Sequence, residues 1–133
     1  MAKRILVVDD HAPTRTLIRT ILESDRVSMF EVVQAGTGAE CLKAASEGHF
    51  ELILLDVNLP DTDGFTLCRT LRETDQRVPI VFLTAQRDVK DFTTGREAGG
   101  DSYLVKPIAR AALRSLVGLF TSIERKRGEG PPP

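Results

Sequence analysis

Five residues with side chains suited to phosphoryl chemistry follow short apolar runs in this sequence. The pair Asp9-Asp10 follows the first run, Asp56 the second, Thr84 the third and Lys106 the fourth. The runs are residues 5–8, 52–55, 80–83 and 103–105. If they form adjacent parallel strands, three carboxylates, a hydroxyl and an ammonium meet at the carboxyl edge of one sheet, where open α/β folds bind ligands.

Three carboxylates at one edge require compensating charge. Two carboxylates about 5 Å apart repel by about 3 kcal/mol at an effective dielectric near 20. Three such pairs would cost up to about 10 kcal/mol, comparable to the stability of a whole domain. Lys106 supplies one cation, and an all-oxygen site with open positions suits Mg²⁺. The alternative is that Asp9 or Asp10 only caps the following helix.

Asp56 is the candidate nucleophile of this group. It ends the most apolar run and precedes a loop rich in Asn, Asp and Gly, and a carboxylate so placed can form an acyl phosphate. Such a transfer needs positioning and neutralised oxygens, which Mg²⁺, Lys106 and Thr84 could provide. Considered alone, Lys106 could equally be a solvated surface lysine, and Thr84 could be an ordinary strand residue.

The elements that must position these residues alternate five times between strand and helix, which is typical of a parallel sheet covered by helices. The predicted strands are residues 4–9, 30–34, 52–56, a fourth that begins at Pro79, and 101–105. The first helix begins near Pro13, with a buried stripe at Leu17, Ile18, Ile21 and Leu22. The second runs to about Gly48 and is capped by Thr37, with Glu40 completing a capping box.

The remaining helices follow the same apolar spacing. The third buries Phe65, Cys68 and Leu71, and the fourth, capped by Asp88, covers residues 89–98 with poor helix formers inside it. The fifth covers residues 108–125, and its buried stripe is Leu113, Leu116, Val117, Phe120 and Ile123.

Composition excludes several classes of protein. The chain has 133 residues, 41% of them hydrophobic and 28% charged, which fits one globular domain. A net charge of −1 argues against a globally basic nucleic-acid binder. No apolar stretch could span a bilayer and no signal peptide is recognisable, so a cytoplasmic location is expected. Cys41 and Cys68 are expected to be reduced, partly buried thiols, with a reactive or paired role as the alternative.

The sequence resembles a response-regulator receiver domain of two-component signalling over residues 3–125. The matching segments are Val8-Asp9-Asp10 and residues 55–64, 82–85 and 103–107. The resemblance implies a single-domain, doubly wound (βα)5 flavodoxin-like fold with a five-stranded parallel sheet in order 2-1-3-4-5. Residues 1–125 would form the receiver domain, and residues 126–133 a flexible tail or linker stub.

The resemblance also implies a metal site and a phosphoacceptor. Asp56 would accept the phosphoryl group. Asp10 and Asp56 would bind Mg²⁺ directly, with Mn²⁺ as a substitute, and Asp9 would act mostly through water. The backbone carbonyl of Asn58 would add a further ligand.

Two more residues would contact the phosphoryl group, and Tyr103 would change its position in response to it. The resemblance assigns the contacts to Thr84 and Lys106, with a cis peptide bond between Lys106 and Pro107. Thr84 would move toward the phosphoryl group, and Tyr103 would turn into the space left beside Ala85. The face formed by helix four, strand five and helix five would then change state.

The implied partners follow from that role. A histidine kinase or a histidine phosphotransfer protein would donate the phosphoryl group, and the domain would catalyse only its own phosphorylation and dephosphorylation. The downstream partner is not identified: either the protein acts alone, or an output domain would follow the tail. A homodimer through the helix-four, strand-five and helix-five face is also implied, with no direct contact to nucleic acid or membrane.

Three alternatives use related chemistry. A haloacid-dehalogenase-type phosphohydrolase would need Asp-x-Asp-x-Thr after strand one, whereas this chain has Asp9-Asp10-His11-Ala12-Pro13. A flavin-binding module would need a phosphate loop rich in Ser, Thr and Gly at that place. A degenerate receiver, serving only as a docking surface, would not need the complete set of acidic, hydroxyl and ammonium groups.

Overall fold

The computed structural model describes residues 2–85 and 92–128. Five strands alternate with five helices in chain order. The strands are β1 (Lys3–Val8), β2 (Phe30–Ala35), β3 (Leu52–Asp56), β4 (Ile80–Ala85) and β5 (Ser102–Lys106). The helices are α1 (Ala12–Glu23), α2 (Gly38–Glu47), α3 (Gly64–Arg72), α4 (Phe92–Ala98) and α5 (Arg110–Gly128).

All five strands pair in parallel in the order β2-β1-β3-β4-β5, which confirms the predicted topology. Val8 lies opposite Leu55, and Asp56 lies opposite Leu83 on the next strand. Thr84 in turn lies opposite Val105. This register brings the carboxyl ends of β1, β3, β4 and β5 to the same edge of the sheet.

Both faces of the sheet are buried, which explains the continuously apolar strands. One face packs against α2, α3 and α4, and its strand residues include Leu6, Val8, Ile53, Leu55 and Phe82. The other face packs against α1 and α5, and its strand residues include Ile5, Val7, Leu52, Leu54 and Leu83. The period-two alternation of a strand divides these residues between the two faces.

The predicted stripe of α1 was wrong at one position. Ile18, Ile21 and Leu22 are almost completely buried, but Leu17 remains 45% exposed. Because each helical residue turns about 100° from its neighbour, Leu17 lies at the side of a stripe whose centre faces the sheet.

The start of α2 shows only half of the predicted capping box. The Thr37 side chain accepts a hydrogen bond from the Glu40 amide, at 3.0 Å. The Glu40 carboxylate accepts from the amide of Gly36, at 2.7 Å, instead of from Thr37. The carboxylate therefore holds the turn that precedes the helix as well as complementing the helix dipole.

The last two helices differ from their predicted limits. The predicted cap Asp88 and the predicted start of α4 lie outside the described residues, and α4 is described from Phe92 to Ala98. Helix α5 begins at Arg110 and continues to Gly128, so three residues assigned to the tail are helical. Consecutive charged residues near its end do not interrupt a helix, and within residues 124–128 glycine occurs only at the last position.

The predicted stripe of α5 is confirmed where its side chains are described. Leu113, Val117 and Phe120 are buried, and Leu116 packs at the margin of the same cluster. The side chain of Ile123 lies outside the described part. In the part of the chain that the structure describes, no helix combines the length and the apolar character needed to cross a membrane.

Both cysteines are buried free thiols, on α2 and α3 respectively. Burial raises the pKa of Cys41 to about 12 and that of Cys68 to about 11. The Cys68 thiol donates to the backbone oxygen of Ala98, at 3.4 Å. The two thiols therefore act as packing groups of the core.

Candidate functional site

The acidic residues that follow β1 and end β3 come together at the carboxyl edge of the sheet. One carboxylate oxygen from each of Asp9, Asp10 and Asp56 lies within 4.8 Å of the other two. Asp9 is fully buried and Asp56 is 5% exposed, whereas Asp10 is exposed. We call these three residues the acidic cluster. Its open side is the side on which Asp10 lies.

Lys106, the last residue of β5, reaches across the end of β4 to this cluster. Its Nζ lies 2.8 Å from Asp9 Oδ2 and 3.4 Å from Asp56 Oδ2. The lysine is therefore paired with buried carboxylates rather than being a solvated surface residue. The peptide bond from Lys106 to Pro107 is cis.

The loop after Asp56 holds that carboxylate from its other side. The amide of Asn58 donates to Asp56 Oδ1, at 3.1 Å, while Lys106 approaches Oδ2. The loop returns closely enough for the Gly64 amide to donate to Val57 O, at 2.6 Å. A Cβ at Gly64 would lie 2.3 Å from the backbone oxygen of Asp56, so the return requires glycine.

Burial and neighbouring charges shift the pKa values of the central pair. Burial raises the pKa of Asp56 to about 6; the Asp9 charge adds to this, while the Asn58 amide and Lys106 oppose it. Burial lowers the pKa of Lys106, but the contacts with Asp9 and Asp56 outweigh it, so the net shift is upward. The ammonium is therefore retained at neutral pH.

The cluster is suited to a divalent cation of the Mg²⁺ type. Asp9 Oδ2 is buried, and Lys106 Nζ lies 2.8 Å from it. The two acids Asp10 and Asp56 complete an all-oxygen donor set, and three carboxylates face one ammonium. A hard cation with oxygen ligands and water in its open positions fits this donor set.

Thr84 lies on β4 beside the end of β3, where the sequence predicted it. The residue is 2% exposed, and its hydroxyl donates to the backbone oxygen of Ala85 at 3.3 Å, a long hydrogen bond. This weak contact leaves the hydroxyl available for a stronger acceptor.

Tyr103 lies on β5 and packs against both the sheet and α4. Its ring lies 5.5 Å from that of Phe82 and is stacked at 3.9 Å on that of Phe92. Its hydroxyl donates to the backbone oxygen of Phe92. Tyr103 therefore connects the edge strand directly to the first described residue of α4.

The capping alternative for the acidic pair is not supported. The N-cap of α1 is His11, and no side chain caps this helix. Asp9 Oδ1 instead accepts from the His11 amide, at 2.9 Å, which turns the chain immediately after β1.

Sequence reasoning missed two residues that hold the site in place. Arg15 Nη1 donates to the backbone oxygen of Asp9, at 2.6 Å. Asp61 accepts from the amides of Gly38 and Ala39, at 2.8 and 3.0 Å. The partners of Asp61 are more than 20 residues away, so no local pattern could have revealed them, and the segment around Asp61 read only as a turn.

Comparisons with known proteins agree with this geometry. A family model described as response regulator receiver domain matches residues 5–118. The chain is 40% identical over 125 residues to the transcriptional regulatory protein PrrA of Mycobacterium tuberculosis, covering 94% of this chain and 51% of that protein. It is 41% identical over 106 residues to the transcriptional regulatory protein ResD of Bacillus subtilis, covering 80% and 42%. The chain thus spans about half the length, or less, of these curated relatives.

A solved structure shows the same architecture. The response regulator receiver domain protein (CheY-like) from Methanospirillum hungatei superposes with a TM-score of 0.87 at 27% identity. The match covers 96% of this chain and 99% of that one. The fold described above is therefore also the fold of that solved chain over almost its whole length.

Proposed function

Because the chain belongs to the response regulator receiver domain family, we propose that it accepts a phosphoryl group on Asp56 in a Mg²⁺-dependent reaction. The donor is a phosphohistidine of a histidine kinase or of a histidine phosphotransfer protein. The observation that carries this proposal is the contact of Lys106 Nζ with Asp9 and Asp56 inside the acidic cluster.

The two oxygens of Asp56 have different surroundings, and this difference orients the nucleophile. Oδ1 accepts from the Asn58 amide, and Oδ2 faces the Lys106 ammonium. In the transfer, one oxygen of Asp56 forms a bond to phosphorus while the phosphorus–nitrogen bond of the donor breaks. The histidine nitrogen leaves with the bonding electron pair. The product on this chain is an acyl phosphate.

Phosphoryl transfer depends mainly on positioning and on neutralising the equatorial oxygens. Mg²⁺ bound by Asp10, Asp56 and the Asn58 carbonyl, with Asp9 acting through water, would neutralise one oxygen. Lys106 is placed to pair with a second oxygen, and the Thr84 hydroxyl, which donates a long hydrogen bond to the Ala85 oxygen, would turn toward a third.

The response to phosphorylation is proposed for the face of α4, β5 and α5. Reorientation of Thr84 would vacate a space into which Tyr103 turns, and the ring and hydroxyl of Tyr103 both contact Phe92 of α4. This coupling would transmit the state of the site to a downstream partner, or to a second copy of the chain through the same face. The relatives are named transcriptional regulators, so we also propose an output domain beyond the receiver unit.

Intact mass measurement tests the proposal. Incubation with Mg²⁺ and a small phosphodonor such as acetyl phosphate should add one acid-labile phosphoryl group, and Asp56→Asn should prevent it. Asp25→Asn, which changes an aspartate on the loop between α1 and β2, is the control and should be modified normally. Modification of Asp56→Asn, or sustained release of phosphate with turnover typical of a hydrolase, would contradict the proposal.

A further inference from the structure

Asp61 joins the loop that follows the phosphoacceptor to the beginning of α2. We call residues 57–63 the phosphoacceptor loop. The Asp61 carboxylate accepts from the Gly38 amide through Oδ1 and from the Ala39 amide through Oδ2. These are two of the first amides of α2, which have no partner inside the helix. Each oxygen therefore satisfies one of them.

The loop and the helix are also in close steric contact at this point. Gly38 is buried, and a Cβ there would lie 2.6 Å from Thr62 Cγ2 and 3.3 Å from Asp61 Oδ1. The tip of the loop is closed by a hydrogen bond from the Leu59 amide to the backbone oxygen of Thr62, at 3.1 Å. A residue larger than glycine at position 38 would have to displace the Thr62 side chain at this tip.

The other end of the loop is anchored beside the acidic cluster. Asn58 forms a bridge with Asp63, and its amide donates to Asp56. Asp63 caps α3 by accepting from the Thr66 amide, at 2.8 Å. Asn58, whose carbonyl is a proposed metal ligand, is thus tied to Asp56 and to the N-cap residue of α3, three residues before the contact of Asp61 with α2.

We propose that Asp61 is a positioning residue that sets the Mg²⁺ affinity of the acidic cluster by holding the phosphoacceptor loop against α2. The inference rests on the proposed function, because it concerns the same metal site. Groups that orient metal ligands commonly change metal affinity about 10- to 100-fold when removed. Asp61 acts through the loop and not on a ligand directly, so we expect a smaller effect, about three- to tenfold.

A general effect of negative charge would give a different pattern. Asp61 is exposed, so salt screens the influence of its charge on a cation in the cluster. Asp61→Asn removes the charge but keeps one oxygen acceptor, whereas Asp61→Ala removes both. If Asp61 acts by positioning, the Mg²⁺ affinity of Asp61→Asn should lie between that of Asp61→Ala and that of wild type. The differences in affinity should persist at high salt.

The experiment measures Mg²⁺ affinity from the rise in melting temperature with Mg²⁺ concentration, in the presence and absence of 0.5 M salt (roughly a 4 Å screening length). Asp61→Ala should bind Mg²⁺ about three- to tenfold more weakly and should lose hydrogen-exchange protection at the amides of Gly38 and Ala39. The matched control is Asp25→Ala, since Asp25 also accepts from two backbone amides, those of Val27 and Ser28, but on the loop between α1 and β2. This control should leave Mg²⁺ affinity unchanged.

A second pair of variants tests the same contact by changing the helix side of it, at Gly38. Gly38→Ala should weaken Mg²⁺ binding even though alanine favours helix more than glycine, because its Cβ meets Thr62 Cγ2. Thr62→Ser removes that methyl group, so Gly38→Ala combined with Thr62→Ser should recover most of the affinity.

The results separate this inference from the proposed function. If wild type binds Mg²⁺ and is phosphorylated, but Asp61→Ala binds Mg²⁺ equally well, the inference is overturned and the proposed function stands. If Asp61→Ala and Asp61→Asn weaken binding equally and the effect disappears at high salt, charge alone is responsible and the inference is also overturned. A wild-type protein that binds no Mg²⁺ would overturn both.

Discussion

At the residue scale, Asp56 experiences opposing influences from its surroundings. Burial and the Asp9 charge raise its pKa to about 6, while the Asn58 amide and Lys106 favour the ionised form. The neutral form of Asp56 is therefore favoured more in the folded protein than in an unfolded chain, where the pKa of aspartate is about 4. Ionisation of Asp56 costs folding free energy, and a bound cation is the natural compensation.

The first prediction concerns the pH dependence of stability without metal. A raised folded-state pKa penalises folding fully above about pH 6 and not below about pH 4. Asp56→Asn should therefore raise the melting temperature at pH 7.5 and leave it nearly unchanged at pH 4, in a thermal denaturation series with chelator. A gain that is equal at both pH values would contradict this. Added Mg²⁺ should stabilise wild type more than the variant.

The second prediction concerns Lys106. Replacing it with methionine keeps most of the apolar stem but leaves the buried Asp9 carboxylate without its cation. Breaking a buried pair in this way is costly, and because Lys106 is partly exposed we expect a loss of about 1–3 kcal/mol at pH 7.5 without metal. Urea denaturation measures the loss. Double substitution with Asp9→Asn should recover part of it, and no recovery would argue against the pairing.

At the element scale, close approaches between loops and helices determine where glycine is required. Gly64 begins α3 and returns so close to Asp56 that a Cβ would meet its backbone oxygen at 2.3 Å. Gly118 is also helical, in α5, but a Cβ there would meet nothing within 4 Å. Glycine is therefore required at position 64 for the loop to return beside Asp56, whereas at position 118 it only weakens the helix.

The third prediction uses this pair. Gly64→Ala should destabilise the protein by about 2–3 kcal/mol, because a backbone atom must move to admit the methyl group. Gly118→Ala should stabilise it by up to about 1 kcal/mol through helix propensity. Chemical denaturation of the two variants beside wild type measures both changes. A stable Gly64→Ala protein with normal phosphorylation would show that the loop relaxes freely.

At the scale of the whole molecule, Arg72 connects segments that are distant in sequence. From the end of α3 it donates to the backbone oxygens of Gly99 and Val78, at 2.9 and 2.6 Å, and pairs with Asp101 at 3.0 Å. Asp101 in turn accepts from the amide of Ile80 at the start of β4. One side chain thus holds the end of α4, the start of β4 and the approach to β5 together.

The fourth prediction tests that connection. Arg72→Ala leaves half-buried carbonyl groups without their donor, so we expect a loss of about 2–3 kcal/mol in the free energy of unfolding. Hydrogen exchange should increase most at residues 98–102. The matched control is Arg69→Ala, an exposed arginine of the same helix, which should change stability by less than about 0.5 kcal/mol. Equal effects of the two substitutions would contradict the role given to Arg72.

Much of the fold and of the site could be read from local patterns. The alternation of apolar strands and amphipathic helices predicted a parallel sheet, and the resemblance to receiver domains implied its strand order. Asp9, Asp10, Asp56, Thr84 and Lys106 do lie at the carboxyl edge of this sheet. The metal and phosphoryl roles of these residues remain predictions that the experiments above address. Local patterns sufficed here because parallel strands align their ends, whatever lies between them.

Tertiary structure alone decided which distant groups meet. Asp61 accepts from the amides at the start of α2, Arg72 binds the turn before β5, and Arg15 donates to the backbone oxygen of Asp9. The exposure of Leu17 was decided in the same way. The amino-acid sequence by itself determined which side chains occur at the end of each strand, since periodicity acts over a few residues. Contacts between segments depend instead on how loops pack once the sheet has formed, and no short window of sequence contains that information.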